Sequence, residues 1–554
     1  MTKKETLINY CRNNNIFSTI RNNLHYLFFF SLFFIQFYTF KDYGFPNDEE
    51  ISRNNGLISF NYLLDIFNLE FIQQYPGQPK FENYYDKDYG VVFELFLVVI
   101  EKLFSISTLD KVFYTRHLFV AIFFLIASIY FYLTLRKFFS KDISLLGTLI
   151  FVFHPRIFAQ SFYNSKDIIF LVFFCISNFY FINFFLKQNI KNIFLLSLSI
   201  ALTISVRPMG MILPVLFIFF FVMTNLDKFK IRNFSFIFLF CFLTFCFTYL
   251  FWPYLWDDPL NFFNSLKTMS KFRWIGEVFF NGEYYIAKYM PWFYIPTTIL
   301  ITTPLFILIL FFIGFFIISK KLIYNLINLE NEKENIWNGN LELFLFYSLL
   351  IILVTIFLII ELSATVYTGW RQIYYIYPSI VFISVYGYKK ILEKLKIKKL
   401  INISLALAIF VNIIWIIKNH PYQYAYYNSI ILNKNLRNYE LDYYGVSNLD
   451  ILKKIISVNK NNLSSIYTFS VNPYYLSLNL LNEEDKKKIS FTDNIDEANY
   501  IVSNHYYQNH YFRDKELFDE IHPIKIENYL IENYELIHEI KVDNVSINSI
   551  YKNK

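Results

Sequence analysis

Apolar residues run almost unbroken through most of this chain, with polar residues confined to short gaps between the runs. Stretches near 24–40, 117–136, 143–160, 168–186, 192–206, 210–226, 233–252, 294–318, 341–361, 371–388 and 400–418 each approach the ~20 mostly apolar residues that cross a bilayer. The pattern predicts an α-helical polytopic membrane protein of about eleven transmembrane helices. Past residue 419 the pattern changes. Period-two alternation at 464–470, 488–492 and 498–504 predicts strands with helical stretches between them. The chain is therefore expected to comprise a transmembrane domain over residues 1–418 and a small α/β domain over residues 419–554, long enough for a modest core.

One apolar run resists this count. Residues 91–106 are short and include Glu94, Glu101 and Lys102, so they are expected to form a helix lying at the membrane surface. They then belong to a first outer loop of about 41–115, longer than a connector requires. The cations support this arrangement. Lys3, Lys4, Arg12 and Arg21 precede the first run, and later clusters are Arg136/Lys137/Lys141, Lys187/Lys191, Lys228/Lys230/Arg232 and Lys320/Lys321. The densest is Lys389, Lys390, Lys394, Lys396, Lys398 and Lys399. All fall on one side if 91–106 does not cross, which puts the N-terminus inside and the tail outside. The run 26–40 lacks a small-residue cleavage site and is read as a retained first span.

Composition narrows the function. The chain is 55% hydrophobic and 17% charged, against roughly 25% charged in soluble domains, which excludes a soluble enzyme. The net charge of +7 is spread over topology clusters rather than one basic face, so no nucleic-acid partner is implied. Cys11, Cys175, Cys241 and Cys246 make no disulfide framework.

The unusual polar residues gather on the outer side. They are Pro46-Asn47-Asp48-Glu49-Glu50, Arg116, His154-Pro155-Arg156, Asn164-Ser165-Lys166-Asp167, Arg207, Asp257-Asp258 and Arg371. Ionisable groups at span ends mark function by default. Carboxylates there can act as general bases or metal ligands, and several arginines suit a phosphate, which guanidinium grips with two hydrogen bonds. Base, anionic leaving group and polar acceptor together describe a transferase site. The blander readings are that the arginines snorkel, that Asp257-Asp258-Pro259 is a cap or turn, and that His420 is structural. A metal held by Asp48, Glu49 and Asp167 finds no support in His or Cys ligand spacing.

These motifs, in this order, resemble the GT-C superfamily of polyprenyl-phosphate-sugar glycosyltransferases, and within it glycosyltransferase family 39, which includes protein O-mannosyltransferases and aminoarabinose transferases. Asp48-Glu49 occupies the family's acidic motif, and Phe113-Tyr114-Thr115-Arg116 resembles the arginine that opens its second span. Asn164-Ser165-Lys166-Asp167 stands where the family has a second Asp. Ser205-Val206-Arg207-Pro208-Met209-Gly210 resembles a Thr-Lys-Gly segment, and Arg371-Gln372-Ile373-Tyr374-Tyr375 resembles an Arg-Tyr span. Pro291-Trp292-Phe293-Tyr294, His420-Pro421-Tyr422 and Leu441-Asp442-Tyr443-Tyr444-Gly445 resemble further aromatic and tail motifs. Many relatives carry Lys or His before a Pro-Pro pair, where this chain has Lys87-Asp88-Tyr89-Gly90.

The resemblance implies inverting transfer of a sugar from a polyprenyl phosphate to an acceptor hydroxyl, at the outer face of the inner (cytoplasmic) membrane. It makes Asp48 the base, with Glu49 and Asp167 orienting the acceptor or holding a metal. Lys87, Arg116, Arg207 and Arg371 would bind the donor phosphate, and Tyr427 and Asn428 would cover the site. No cofactor is required, divalent-metal dependence stays open, and the acceptor is a glycan, lipid or protein. The competing reading is a transporter or flippase of an anionic lipid or lipid-linked sugar, which also wants outer-facing cations. Such proteins tend to carry inverted repeats, and none is detectable here. A structural scaffold is a third reading, against which the paired carboxylates argue.

Overall fold

The computed structural model describes residues 15–225, 231–328, 336–432, 436–459 and 463–554. Cys11, Lys3, Lys4, Arg12, Lys228 and Lys230 lie outside them. Every apolar run predicted to cross is helical. Among the described residues, seven helices are long and apolar enough to span, and an eighth forms if Lys141–Val152 and Pro155–Tyr163 are one bent span. The protein is an integral membrane protein. Its helices expose large apolar side chains such as Phe238, Phe316 and Phe410, which suits lipid rather than water.

Several predicted spans are broken, and each break has a chemical cause. Lys141–Val152 and Pro155–Tyr163 meet at 68°. His154 sits in extended backbone before Pro155, as a residue preceding proline must, and its ring nitrogen accepts from the Ile157 N–H. Pro155 then opens the second helix, where its missing N–H costs nothing. Pro304 likewise separates Tyr294–Thr302 from Leu305–Ile327, and Pro208 opens a short 3-10 turn before Ile212–Asn225. The span expected at 371–388 begins as the 3-10 turn Arg371–Ile376 and continues as Tyr377–Lys394.

The first outer loop is more ordered than its polarity suggests. It contains the helix Glu49–Ile66 and the helix Val92–Leu103, which pack on each other. At 1.5 Å per residue the second is about 18 Å long, too short to cross. Gly56 allows the close approach, because a Cβ there would lie 2.7 Å from the Glu94 carbonyl oxygen.

Among the described residues, seven strands form two sheets. The hairpin β1 (Glu277–Phe280) and β2 (Glu283–Ile286) turns through Asn281-Gly282, both with positive φ. The five-stranded sheet comprises β3 (Ser464–Thr468), β4 (Ile489–Phe491), β5 (Tyr500–Ser503), β6 (Tyr534–Val542) and β7 (Val545–Asn553), in the order β4-β3-β5-β7-β6. β3 pairs parallel with β4 and β5, while β7 pairs antiparallel with β5 and β6. The three strands read from alternation match β3, β4 and β5. The β6–β7 hairpin turns through Asp543-Asn544, again both at positive φ, as a two-residue hairpin loop demands. Leu449, Leu452 and Ile455 of the helix Asn448–Val458 pack with Ile466, Val502 and Ile550 of this sheet. The same cluster includes Phe45 and Phe113 from the first outer loop and the following helix. The tail is thus fastened directly to the segment that carries Asp48.

Candidate active site

The broken helix ends converge. Asp167 is the first residue of the helix Asp167–Leu186, where its charge complements the helix dipole and the Asn164 side-chain oxygen accepts from its backbone N–H at 2.8 Å. Arg207 immediately precedes the Pro208 turn, and Arg371 opens the turn before Tyr377–Lys394. Arg371 donates to Asp167 Oδ2 at 3.1 Å from Nη1, and its Nη2 lies 3.0 Å from Asp48 Oδ2. Arg207 holds the other oxygen of Asp167, and Asn164 Nδ2 donates to Asp167 Oδ2 at 2.9 Å. The two aspartates differ in access: the Asp167 side chain is 0% exposed and that of Asp48 is 47% exposed. Asp167 is locked between two guanidinium groups, whereas Asp48, paired with Arg371, stays open to the cavity.

Asp48 borders a cavity of about 470 Å³, which Asp86, Lys166, Arg207, Arg273 and Arg371 also line. Four cations therefore face two carboxylates. Aromatic rings hold two of these cations in place. Arg371 lies 4.8 Å from the Tyr367 ring centre and 5.1 Å from that of Tyr444, and the Lys166 ammonium is 4.1 Å above Tyr89. Arg273 Nη2 contacts Asp88 at 2.6 Å. Burial raises Asp86 above the usual carboxylate range, against the pull of Lys166. The loop carrying Asp86 and Tyr89 packs tightly on the Arg207 segment: a Cβ on Gly90 would lie 2.1 Å from the Ser205 carbonyl oxygen, so only glycine fits.

The tail completes the walls. Leu441-Asp442-Tyr443-Tyr444-Gly445 places both tyrosines on the cavity, with Gly445 at φ +68°, where glycine is favoured. The buried Asp442 carboxylate accepts from the backbone N–H groups of Val446 and Ser447 and from the Tyr424 hydroxyl. Burial nonetheless raises it to about 6. Beneath, Gln160 Nε2 donates to the hydroxyls of Tyr374 and Tyr443 at 3.1 and 3.0 Å.

Five residues expected at the site lie elsewhere. Arg116 is buried between Glu94, Glu101 and Glu49 and does not line the cavity. Three carboxylates already surround it, so it is not presented to a phosphate. Glu49, one position from Asp48, points the other way on the helix and meets His117 Nε2 at 3.0 Å. Asp48, Glu49 and Asp167 thus do not converge as metal ligands. Lys87 donates to the Glu82 carbonyl and does not line the cavity; Lys166 does. Tyr427 is buried, donating to the Glu440 carbonyl at 2.9 Å. Asn428 donates to the carbonyls of Leu300 and Thr303 at 2.6 and 2.8 Å, clasping the end of the helix Tyr294–Thr302. Neither covers the cavity.

Sequence reasoning gave no role to Asp86, Arg273 or Tyr367. Asp86 and Arg273 are ordinary loop residues in one dimension, and only packing of 81–90 on 271–274 brings them together. Lys166 lay within a motif already singled out, and its place beside Asp167 was the available signal. Asp257 and Asp258 behave as the bland reading expects: Asp258 Oδ1 accepts from the Leu260 N–H at 2.9 Å and Asp257 from the Tyr62 hydroxyl at 2.9 Å.

Residues 95–252 match the family model described as dolichyl-phosphate-mannose-protein mannosyltransferase, in agreement with the family resemblance of the motifs. The matched segment holds Lys166, Asp167 and Arg207. No curated protein matches in sequence. Among solved structures, the chain is similar to the Archaeoglobus fulgidus oligosaccharyltransferase tethered to an acceptor peptide with the NVT sequon. That match has 12% identity, covers 88% of this chain and 70% of that one, and has a TM-score of 0.47. ArnT from Cupriavidus metallidurans bound to undecaprenyl phosphate matches at 10% identity over 96% and 98% of the two chains, TM-score 0.44.

Proposed function

We propose that the protein is a membrane glycosyltransferase that moves a sugar from a polyprenyl-phosphate donor to an acceptor hydroxyl, with inversion at the anomeric carbon. The observation that carries the proposal is the pairing of one accessible carboxylate, Asp48, with a ring of cations in one cavity. The donor phosphate bears charge that grows when the sugar–oxygen bond breaks. Lys166, Arg207, Arg273 and Arg371 stand where they can stabilise that charge, usually the largest contribution to such catalysis. Arg371 is shared between Asp48 and Asp167. An arriving phosphate competes for its Nη2 and releases Asp48 to take the acceptor proton as the acceptor oxygen attacks. Asp167, fully buried, keeps Arg207 and Arg371 aimed at the cavity.

The cations support a sidedness. Arg371 and Lys394 stand at opposite ends of the stretch Arg371–Lys394, and the cluster 389–399 belongs to the end away from the site. The positive-inside tendency supports a cavity opening on the extracytoplasmic side of the inner (cytoplasmic) membrane, with the transmembrane domain (residues 1–418) and the tail (residues 419–554) both contributing to it.

The test is reconstitution in liposomes with a panel of polyprenyl-phosphate sugars, following release of the lipid phosphate. Consumption of one donor is expected. If no donor is consumed while a labelled lipid phosphate crosses the bilayer, the protein is a transporter and this reading fails.

A further inference from the structure

The charges of the cavity are segregated. Among the described residues, the six charged side chains that line it, Asp48 through Arg371, precede residue 372 in the chain. The wall contributed by the tail's sheet loops is built by Val471, Asn472, Pro473, Tyr506, Gln508 and Tyr511, none of them charged. The neighbouring charges have partners of their own: Arg513 pairs with Asp493, Asp514 accepts from the Tyr467 hydroxyl at 2.6 Å, and Glu277 accepts from the Asn509 N–H at 2.6 Å.

This wall has a defined place in the tail's sheet. Val471–Pro473 follow β3, and Tyr506–Tyr511 follow β5. These are adjacent parallel strands, so both loops leave from the same, carboxyl end of the sheet. After β3 the chain continues to β4 on one flank, and after β5 to the strands on the other. Open sheets bind ligands beside such switch points, and here both loops line the cavity. Hydrogen bonds brace this wall. Val471 N–H donates to the Tyr506 carbonyl at 3.0 Å, Asn472 Nδ2 to the Asp442 carbonyl at 2.9 Å, and Gln508 Nε2 to the Tyr506 hydroxyl at 2.6 Å. Asn47 Nδ2 donates to Asn472 Oδ1, so the wall is tied to the residue beside Asp48.

We propose that this wall is an acceptor subsite for an uncharged saccharide, one hydroxyl of which it delivers to Asp48. The inference rests on the glycosyltransferase reading. A charged acceptor would lose its hydration against a wall without counter-charge. The Asn472 and Gln508 amides each keep one N–H beyond the bonds above, which an apolar acceptor would leave unpaired. A neutral sugar meets both conditions: its hydroxyls satisfy the amides, and its C–H faces suit the electron-rich faces of tyrosine rings. Two such rings, Tyr85 and Tyr511, are 61% and 55% exposed at the cavity. A peptide is commonly bound by adding a strand to an open sheet edge, but the edge strands β4 and β6 do not border this cavity.

The test uses the full-length protein in liposomes with the donor panel and three acceptors: a neutral tetrasaccharide, a uronic-acid tetrasaccharide and a Ser/Thr peptide. Lipid-phosphate release without acceptor measures donor hydrolysis, and glycosylated product measures transfer. Preferential glycosylation of the neutral tetrasaccharide is expected, with Gln508→Ala and Tyr511→Ala each lowering the ratio of transfer to hydrolysis about tenfold. Calorimetric titration of the neutral tetrasaccharide into each variant should show matching weakening, independent of turnover. Equal or better use of the peptide or the acidic sugar, or an unchanged ratio in both variants, overturns the subsite while hydrolysis leaves the enzyme reading standing. Absence of any donor turnover overturns both.

Discussion

Asp48→Asn isolates the proposed base, because it keeps the side chain's size and removes only its capacity to take a proton. The structure sets two magnitudes against each other. The lost ion pair to Arg371 is at a half-exposed carboxylate, and such pairs are worth about 0–1 kcal/mol, so folding should change little. A positioned general base contributes about 10²–10⁴-fold in rate, or about 3–5 kcal/mol of barrier at 1.36 kcal/mol per tenfold. The expected result is a fall in kcat of that size, a melting temperature within a few degrees of wild type, and a donor KM that changes less than kcat. The assay is lipid-phosphate release in liposomes, with melting followed in detergent. Turnover within about threefold of wild type would refute the assignment. Asp167→Asn provides the contrast. It removes the carboxylate from two guanidinium groups at a fully buried site, where breaking a pair costs about 3–5 kcal/mol, so it should lower the melting temperature strongly and raise donor KM.

The remaining predictions concern groups that sequence and structure place differently. Lys166→Ala should raise donor KM about tenfold or more, whereas Lys87→Ala, off the cavity, should leave it within twofold; the reverse order would return the phosphate role to Lys87. Arg116→Met leaves Glu94, Glu101 and Glu49 buried without their cation and should cost about 3–5 kcal/mol of stability, read as lost melting temperature and yield. A well-folded Arg116→Met with only a donor-binding defect would contradict the structure. Burial raises Glu440 from its ordinary value near 4.5 to about 8, so the folded state holds this proton more tightly than the unfolded one. Its contribution to stability is fully present below about pH 4.5 and is lost as pH rises through about 8. Glu440→Gln should therefore flatten the decline in melting temperature between pH 5 and 9, and an unchanged decline would show that the group does not titrate in that range.

What could be read in one dimension was whatever a local rule decides. A bilayer demands about 20 apolar residues wherever the backbone crosses, so the helices declared themselves, as did β3, β4 and β5 through their alternation. The short Val92–Leu103 helix was legible as non-crossing because its carboxylates and its length conflict with a span. The breaks at His154-Pro155 and Thr303-Pro304 were equally local, since proline acts on its immediate neighbours, but 143–160 and 294–318 were expected to run unbroken. Two further features were legible but unread: Asn281-Gly282 and Asp543-Asn544 are the two-residue hairpin turns that positive φ requires, and they announce β1–β2 and β6–β7.

Which charges face the cavity was decided elsewhere. Asp48 and Glu49 are adjacent, yet consecutive residues of a helix point about 100° apart, and packing against Arg116 and His117 turned one inward. Lys87 and Lys166 both stand in motifs on the outer side, and only the folded chain shows that Lys87 turns to the Glu82 carbonyl while Lys166 faces the site. Tyr506, Gln508 and Tyr511 reach Asp48 from more than 450 residues away because Phe45 and Phe113 share a core with the tail's sheet. Hydropathy acts through the solvent and is written along the chain, whereas the direction of a buried charge is settled by the partner that compensates it, and that partner is known only once the chain has folded.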